Sequence, residues 1–187
     1  KNGEKEKSDS EIYFPAEYSP KQNWERQSII SLKFVSPEYI ENDANTWKEF
    51  FKKVGVKEEA SQEMVEEFGK DLVRKKFESE GYIVKSYGGV ADLEAKRDNE
   101  ILYIEVKSTS SGEVDDQRLD SRKARFAQEI GDNFYLAKVI NIPDAPVIYL
   151  LKNPANCDGI TFEMNVPKHV IENYAEKVDA RNLIRSD

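Results

Sequence analysis

The chain has 187 residues, a formal net charge of −8 and a sequence pI of about 5.0. Hydrophobic residues make up 39%, enough for a core, while charged residues reach 34% and the mean hydropathy is −0.72. No run approaches the roughly 18 apolar residues of a spanning helix, which excludes a membrane role. The acidic balance also argues against wrapping nucleic acid with the whole surface, but leaves room for a local basic groove or an acidic site neutralised by a metal.

At roughly 100–200 residues per domain, the length predicts one domain with an appendage. The chain begins at Lys1 rather than Met, and no signal-like apolar segment follows, so it reads as a piece of something longer. Cys157 is the single cysteine, which precludes an internal disulfide and points to a reducing, cytoplasmic setting. With one His and one Cys, a structural zinc site cannot be built. The one histidine, His169, falls in the first turn of an expected helix and reads as solvent-facing rather than catalytic. Chemistry here therefore rests on carboxylates, lysines or a hard metal ion.

In chain order, residues 1–27 read as a linker or partly ordered tail. Tyr13, Phe14, Tyr18 and Trp24 are too aromatic for disorder, so part of it is expected to dock. Residues 28–60 form a small strand–helix extension. A strand is expected over 28–35, broken by Pro37. A helix over 45–54 follows, capped by Asp43 or Asn45 and ended by Gly55, with Trp47, Phe50, Phe51 and Val54 on one face. Over 61–80 the spacing of Val65, Phe68, Gly69 and Leu72 predicts the strongest helix, with Ser61 as cap and Gly81 as stop. Three strands are expected near 82–87, 90–96 and 101–108. A helix over 116–130 comes next, with Leu119, Phe126, Ala127 and Ile130 inward. Strands at 134–140 and 147–151 precede a last helix opened by Pro167, with Val170, Ile171, Tyr174 and Val178 on one side. This order predicts a layered α/β domain with a mixed sheet.

The chemistry concentrates between Gly88 and Thr109. Alternation along 101–107 puts Leu102, Ile104 and Val106 on an apolar face and Ile101, Tyr103, Glu105 and Lys107 on the other. Asp98-Asn99 suits a two-residue hairpin loop, because both residues tolerate positive φ. Arg97 then pairs with Glu100, and Asp92 lies opposite Glu105. Directly opposed carboxylates are unfavourable in a sheet. A divalent cation between them removes the penalty, and oxygen donors suit magnesium or manganese. Lys107 would then hold a water or offset charge on a phosphate, as metal-assisted phosphodiester hydrolysis requires. The alternative is a solvated face on which Lys107 simply bridges Glu105 and Asp92.

The pattern Asp92, twelve residues, Glu105-Val106-Lys107 resembles the PD-(D/E)xK nuclease superfamily. The run Ile-Glu-Val-Lys-Ser-Thr at 104–109, the preceding Glu-Gly-Tyr-Ile-Val at 80–84 and Asn-Phe-Tyr-Leu-Ala-Lys-Val at 133–139 are more specific. They resemble the nuclease-like C-terminal domain of NO VEIN-type and bacterial defence proteins. The resemblance implies a restriction-endonuclease-like mixed central sheet flanked by helices, over 61–155, followed by a C-terminal helical segment at 156–187. It implies a DNA endonuclease module of restriction or antiviral defence. Asp92, Glu105 and the Val106 carbonyl would hold Mg (or Mn), and Lys107 would activate water. Where the family places a glutamate after the first-helix glycine, this chain has Lys70 after Gly69. Glu66, one turn earlier, is the candidate substitute. That departure keeps open a weakened or inactive domain that binds nucleic acid or a partner protein. Lys70, Arg118, Arg122, Lys123 and Arg125 are the candidate DNA contacts. A homodimer is a further expectation, as is fusion to an Hsp90-like ATPase, from the resemblance of the region 34–57.

Overall fold

The computed structural model describes residues 11–25, 32–160 and 165–184, which divide into two units at Ser61/Gln62. In the first unit, β1 (Ile12–Tyr13) pairs in parallel with β2 (Lys33–Phe34), and α1 (Ile40–Lys53) follows. Tyr13, Phe14, Tyr18 and Trp24 are all buried, so the aromatic tail docks as its composition suggested. The strand expected over 28–35 is observed only at Lys33–Phe34; residues 28–31 lie outside the described residues. Asp43 breaks the helical geometry of α1, and its carboxylate accepts hydrogen bonds from the Thr46 amide and hydroxyl. It therefore caps the helical segment that the pattern predicted. Phe51 packs among Phe14, Tyr18 and Trp47, but Phe50 and Val54 stay largely exposed.

The second unit is a mixed α/β layer. Its elements are α2 (Gln62–Ser79), β3 (Ile83–Ser86), β4 (Leu93–Arg97), β5 (Glu100–Ser108), β6 (Gln117–Arg118) and α3 (Ser121–Ile130). After these come β7 (Phe134–Ile140), β8 (Val147–Lys152), β9 (Asn165–Val166), α4 (Lys168–Tyr174), β10 (Glu176–Asp179) and α5 (Arg181–Ile184). Six strands form one sheet in the order β10-β8-β7-β5-β4-β3. Only β5 and β7 run parallel, joined by the crossover that contains α3; every other neighbouring pair is antiparallel.

Two expectations are corrected. The helix placed at 116–130 starts at Ser121, because Gln117–Arg118 pairs with Asn165–Val166 as a small separate sheet and Asp120 is the helix cap. The last helix ends at Tyr174, and Val178 lies instead in β10, the sheet edge against β8. The C-terminal stretch is thus not purely helical: the unpaired edge of β8 recruits it as a strand. His169 is exposed on α4, as expected.

Both faces of β5 are covered. Val65, Phe68, Leu72, Val73 and Phe77 of α2 are buried, and Gly69 lets the helix come so close that an added Cβ would sit 1.9 Å from Ser108 Oγ. On the other face Phe126 of α3 packs edge-on against Tyr103 and Phe134. A central strand covered from both sides buries polar as well as apolar positions. Among the described residues, no helix is long and apolar enough to cross a membrane.

Candidate active site

The hairpin forms in the expected register. Asp98 takes φ +52°, Arg97 pairs with Glu100, and Leu93 pairs with Ile104. The next position brings Asp92 beside the end of the ladder, where its amide donates to the Ile104 carbonyl at 3.0 Å. Asp92 Oδ2 accepts from the Val106 amide at 2.8 Å, which clamps the carboxylate against β5. Asp92, Glu105, Val106 and Lys107 all line one cavity of about 480 Å³, together with Gln62, Glu66, Lys70, Ser108, Thr109, Asp115, Gln117, Lys123 and Lys138.

Glu105 has no solvent-exposed surface. Burial raises its carboxyl above the usual glutamate range, and the charge of Asp92 adds to the rise; hydrogen bonds from Lys107 and Lys123 oppose it. Lys107 Nζ lies 2.8 Å from Glu105 Oε1. Lys123 Nζ donates to both oxygens, at 2.6 and 2.7 Å. The solvated-face alternative is therefore corrected: Glu105 is desolvated because α3 covers that side of β5, and its counter-charges come from two lysines.

Lys70 stands 3.8 Å from Asp92 Oδ1 and 2.7 Å from Glu67. The bond to Glu67 is the main cause that lifts its ammonium above the usual lysine value, with the Asp92 charge contributing. Glu66 lines the cavity and accepts from Gln62 Nε2 at 3.0 Å. Arg118, Arg122 and Arg125 are exposed and do not line the cavity. Lys123, grouped with them on sequence, instead points inward.

Sequence reasoning missed Lys138, Asp115 and Gln117. Lys138 is 3% exposed and lies 2.6 Å from Asp115 Oδ1, which also accepts from Gln117 Nε2 at 2.9 Å. It stands level with Lys107 across the parallel ladder. The signal was present: a lone charge inside the buried run Phe-Tyr-Leu-Ala-Lys-Val-Ile at 134–140.

Among the described residues, no three His, Cys, Asp or Glu side chains cluster as a metal cage. The donor chemistry nonetheless suits magnesium. The ion commonly takes one or two carboxylates and fills its other positions with water and substrate phosphate. Asp92 and the desolvated Glu105 supply such a pair of hard oxygen donors from one cavity.

The fold and cavity thus define a mixed α/β domain with a charged, partly enclosed pocket at the end of its central strands. Residues 58–151 match the family model "Protein NO VEIN, C-terminal", and the chain belongs to that family. No curated protein matches the chain.

Proposed function

We propose that this chain is a metal-dependent endonuclease module of the PD-(D/E)xK type, hydrolysing DNA phosphodiesters. The observation that supports it is the meeting of Asp92, Glu105 and Lys107 in one cavity with Glu105 wholly buried. A sheet gains nothing by desolvating a glutamate beside an aspartate, so stability alone does not account for the arrangement. Asp92 and Glu105, with the Val106 carbonyl, would hold magnesium or manganese, which when bound polarises the phosphoryl oxygens and lowers the pKa of water.

The chain's own groups divide the remaining work. The Val106 amide fixes the Asp92 carboxylate, and Glu105 holds the Lys107 ammonium at 2.8 Å. Lys107 is partly exposed, so it can orient a water or meet charge building on the phosphate. The cavity walls carry Lys70, Lys107, Lys123 and Lys138 against Glu66, Asp92, Glu105 and Asp115, so the lining is close to neutral inside an acidic protein. A phosphodiester therefore does not meet the full repulsion of the −8 net charge. Exposed Arg118, Arg122 and Arg125 supply flanking phosphate contacts.

The test is to incubate plasmid, single-stranded DNA and RNA with magnesium or manganese, beside Lys107→Ala and Asp92→Ala. Cleavage by the parent that both variants lose supports the reading. Cleavage that survives either change removes it. A second reading, a nuclease-like domain that binds nucleic acid without cutting, is favoured by the lysines already seated on Glu105 and near Asp92. Binding with no cleavage under either metal selects it.

A further inference from the structure

Lys123 engages both oxygens of the buried glutamate from within the cavity. It approaches from α3, 18 positions along the chain from Glu105, at 2.6 and 2.7 Å. Lys107 lies 2.8 Å from Oε1. A divalent ion bound to the same oxygens would sit at about 2.0–2.1 Å, inside the space the ammonium uses. Two cations so close repel, and the wholly buried carboxylate already accepts from two ammoniums. The Lys123 side chain, in contrast, keeps 20% of its surface exposed on a flexible four-carbon stem and has a route out.

We propose that Lys123 is the pocket's internal counter-ion: it occupies the cation position on Glu105, and a divalent ion binds only when this ammonium withdraws. The proposal rests on the metal-dependent reading above and adds to it a built-in competitor for the ion. Lys123 is a positioning residue here, acting through Glu105. Without metal it keeps the desolvated carboxylate compensated. With metal its ammonium is released within the same cavity, where an entering phosphate is its natural partner.

Calorimetric titration of Mn²⁺ into the full chain, without nucleic acid, reads this directly. Lys123→Gln removes the competing charge and is expected to bind Mn²⁺ more tightly, on the order of tenfold. Lys123→Arg keeps the charge and is expected to bind as weakly as the parent. Lys123→Met, matched in length and apolar, repeats the Gln result if that variant proves unstable. Adding Glu105→Gln to Lys123→Gln is expected to abolish the gain. Equal affinity of parent and Lys123→Gln overturns the proposal and leaves the metal reading standing. So does Lys123→Arg matching Lys123→Gln, since charge would not then be the cause. Absence of Mn²⁺ binding in every variant overturns the metal reading and the proposal together.

Discussion

Gly69 and Ser108 show how tightly α2 is held to the strand that carries the site. A Cβ at Gly69 would lie 1.9 Å from Ser108 Oγ and 2.8 Å from Ser108 Cβ. Ser108 Oγ is itself buried and finds no hydrogen-bond partner among the described residues. In a helix, Gly→Ala ordinarily gains about 1 kcal/mol. Here the overlap outweighs it, and Gly69→Ala is expected to destabilise by about 1–3 kcal/mol, read from the shift of a urea unfolding midpoint. Adding Ser108→Gly removes the clashing atoms. The double variant should therefore lose less than the two single losses combined. A midpoint for Gly69→Ala at or above that of the parent would show that the helix can ride higher on the sheet.

Among the elements, α3 decides what faces Glu105, and its first turn is set by one cap. Asp120 Oδ1 accepts from the amides of Arg122 and Lys123 at 2.9 and 3.0 Å. Those bonds, the one from Lys123 first, hold the Asp120 carboxyl below its ordinary value. Asp120→Ala is expected to cost about 1 kcal/mol of stability at neutral pH. The sign with pH follows from the lowered value. The charged carboxylate binds fewer protons in the folded chain, so its contribution is complete above the ordinary aspartate range and fades as pH falls through the lowered value. Thermal melts of parent and Asp120→Ala should thus differ at pH 7 and converge in strong acid. A difference that grows on acidification would exclude the cap as its cause. Because Lys123 is one of the capped residues, the same change should loosen its hold on Glu105.

At the scale of the whole molecule, the division at Ser61/Gln62 leaves every residue lining the charged cavity in the second unit. That unit also contains the complete six-stranded sheet. Residues 62–187 produced alone are therefore expected to unfold in one cooperative transition and to show the same response to Mn²⁺ as the full chain. Calorimetry on the two proteins checks both points. A fragment without a cooperative transition would show that the first unit is needed for the second to fold.

Much of the second unit was legible locally. The stripe of Val65, Phe68, Gly69 and Leu72 marked α2, and all four are buried. Asp98 allowed the tight turn that puts Arg97 against Glu100, and this register carries Asp92 to the Val106 amide. Helix period, strand alternation and turn chemistry each involve neighbours in sequence, so the meeting of Asp92, Glu105 and Lys107 followed from short-range rules. The register of β7 on β5 did not, since a parallel pair is joined by a long crossover and no turn sets it. That register stands Lys138 beside Lys107. The same crossover packs α3 over Glu105, strips its solvent and turns Lys123 inward, away from the exposed arginines it was grouped with. Val178 likewise became an edge strand only because β8 offered free backbone groups. The acids and their lysine were written in the hairpin; which further ammoniums neutralise them was decided by chain segments that meet only when the sheet closes.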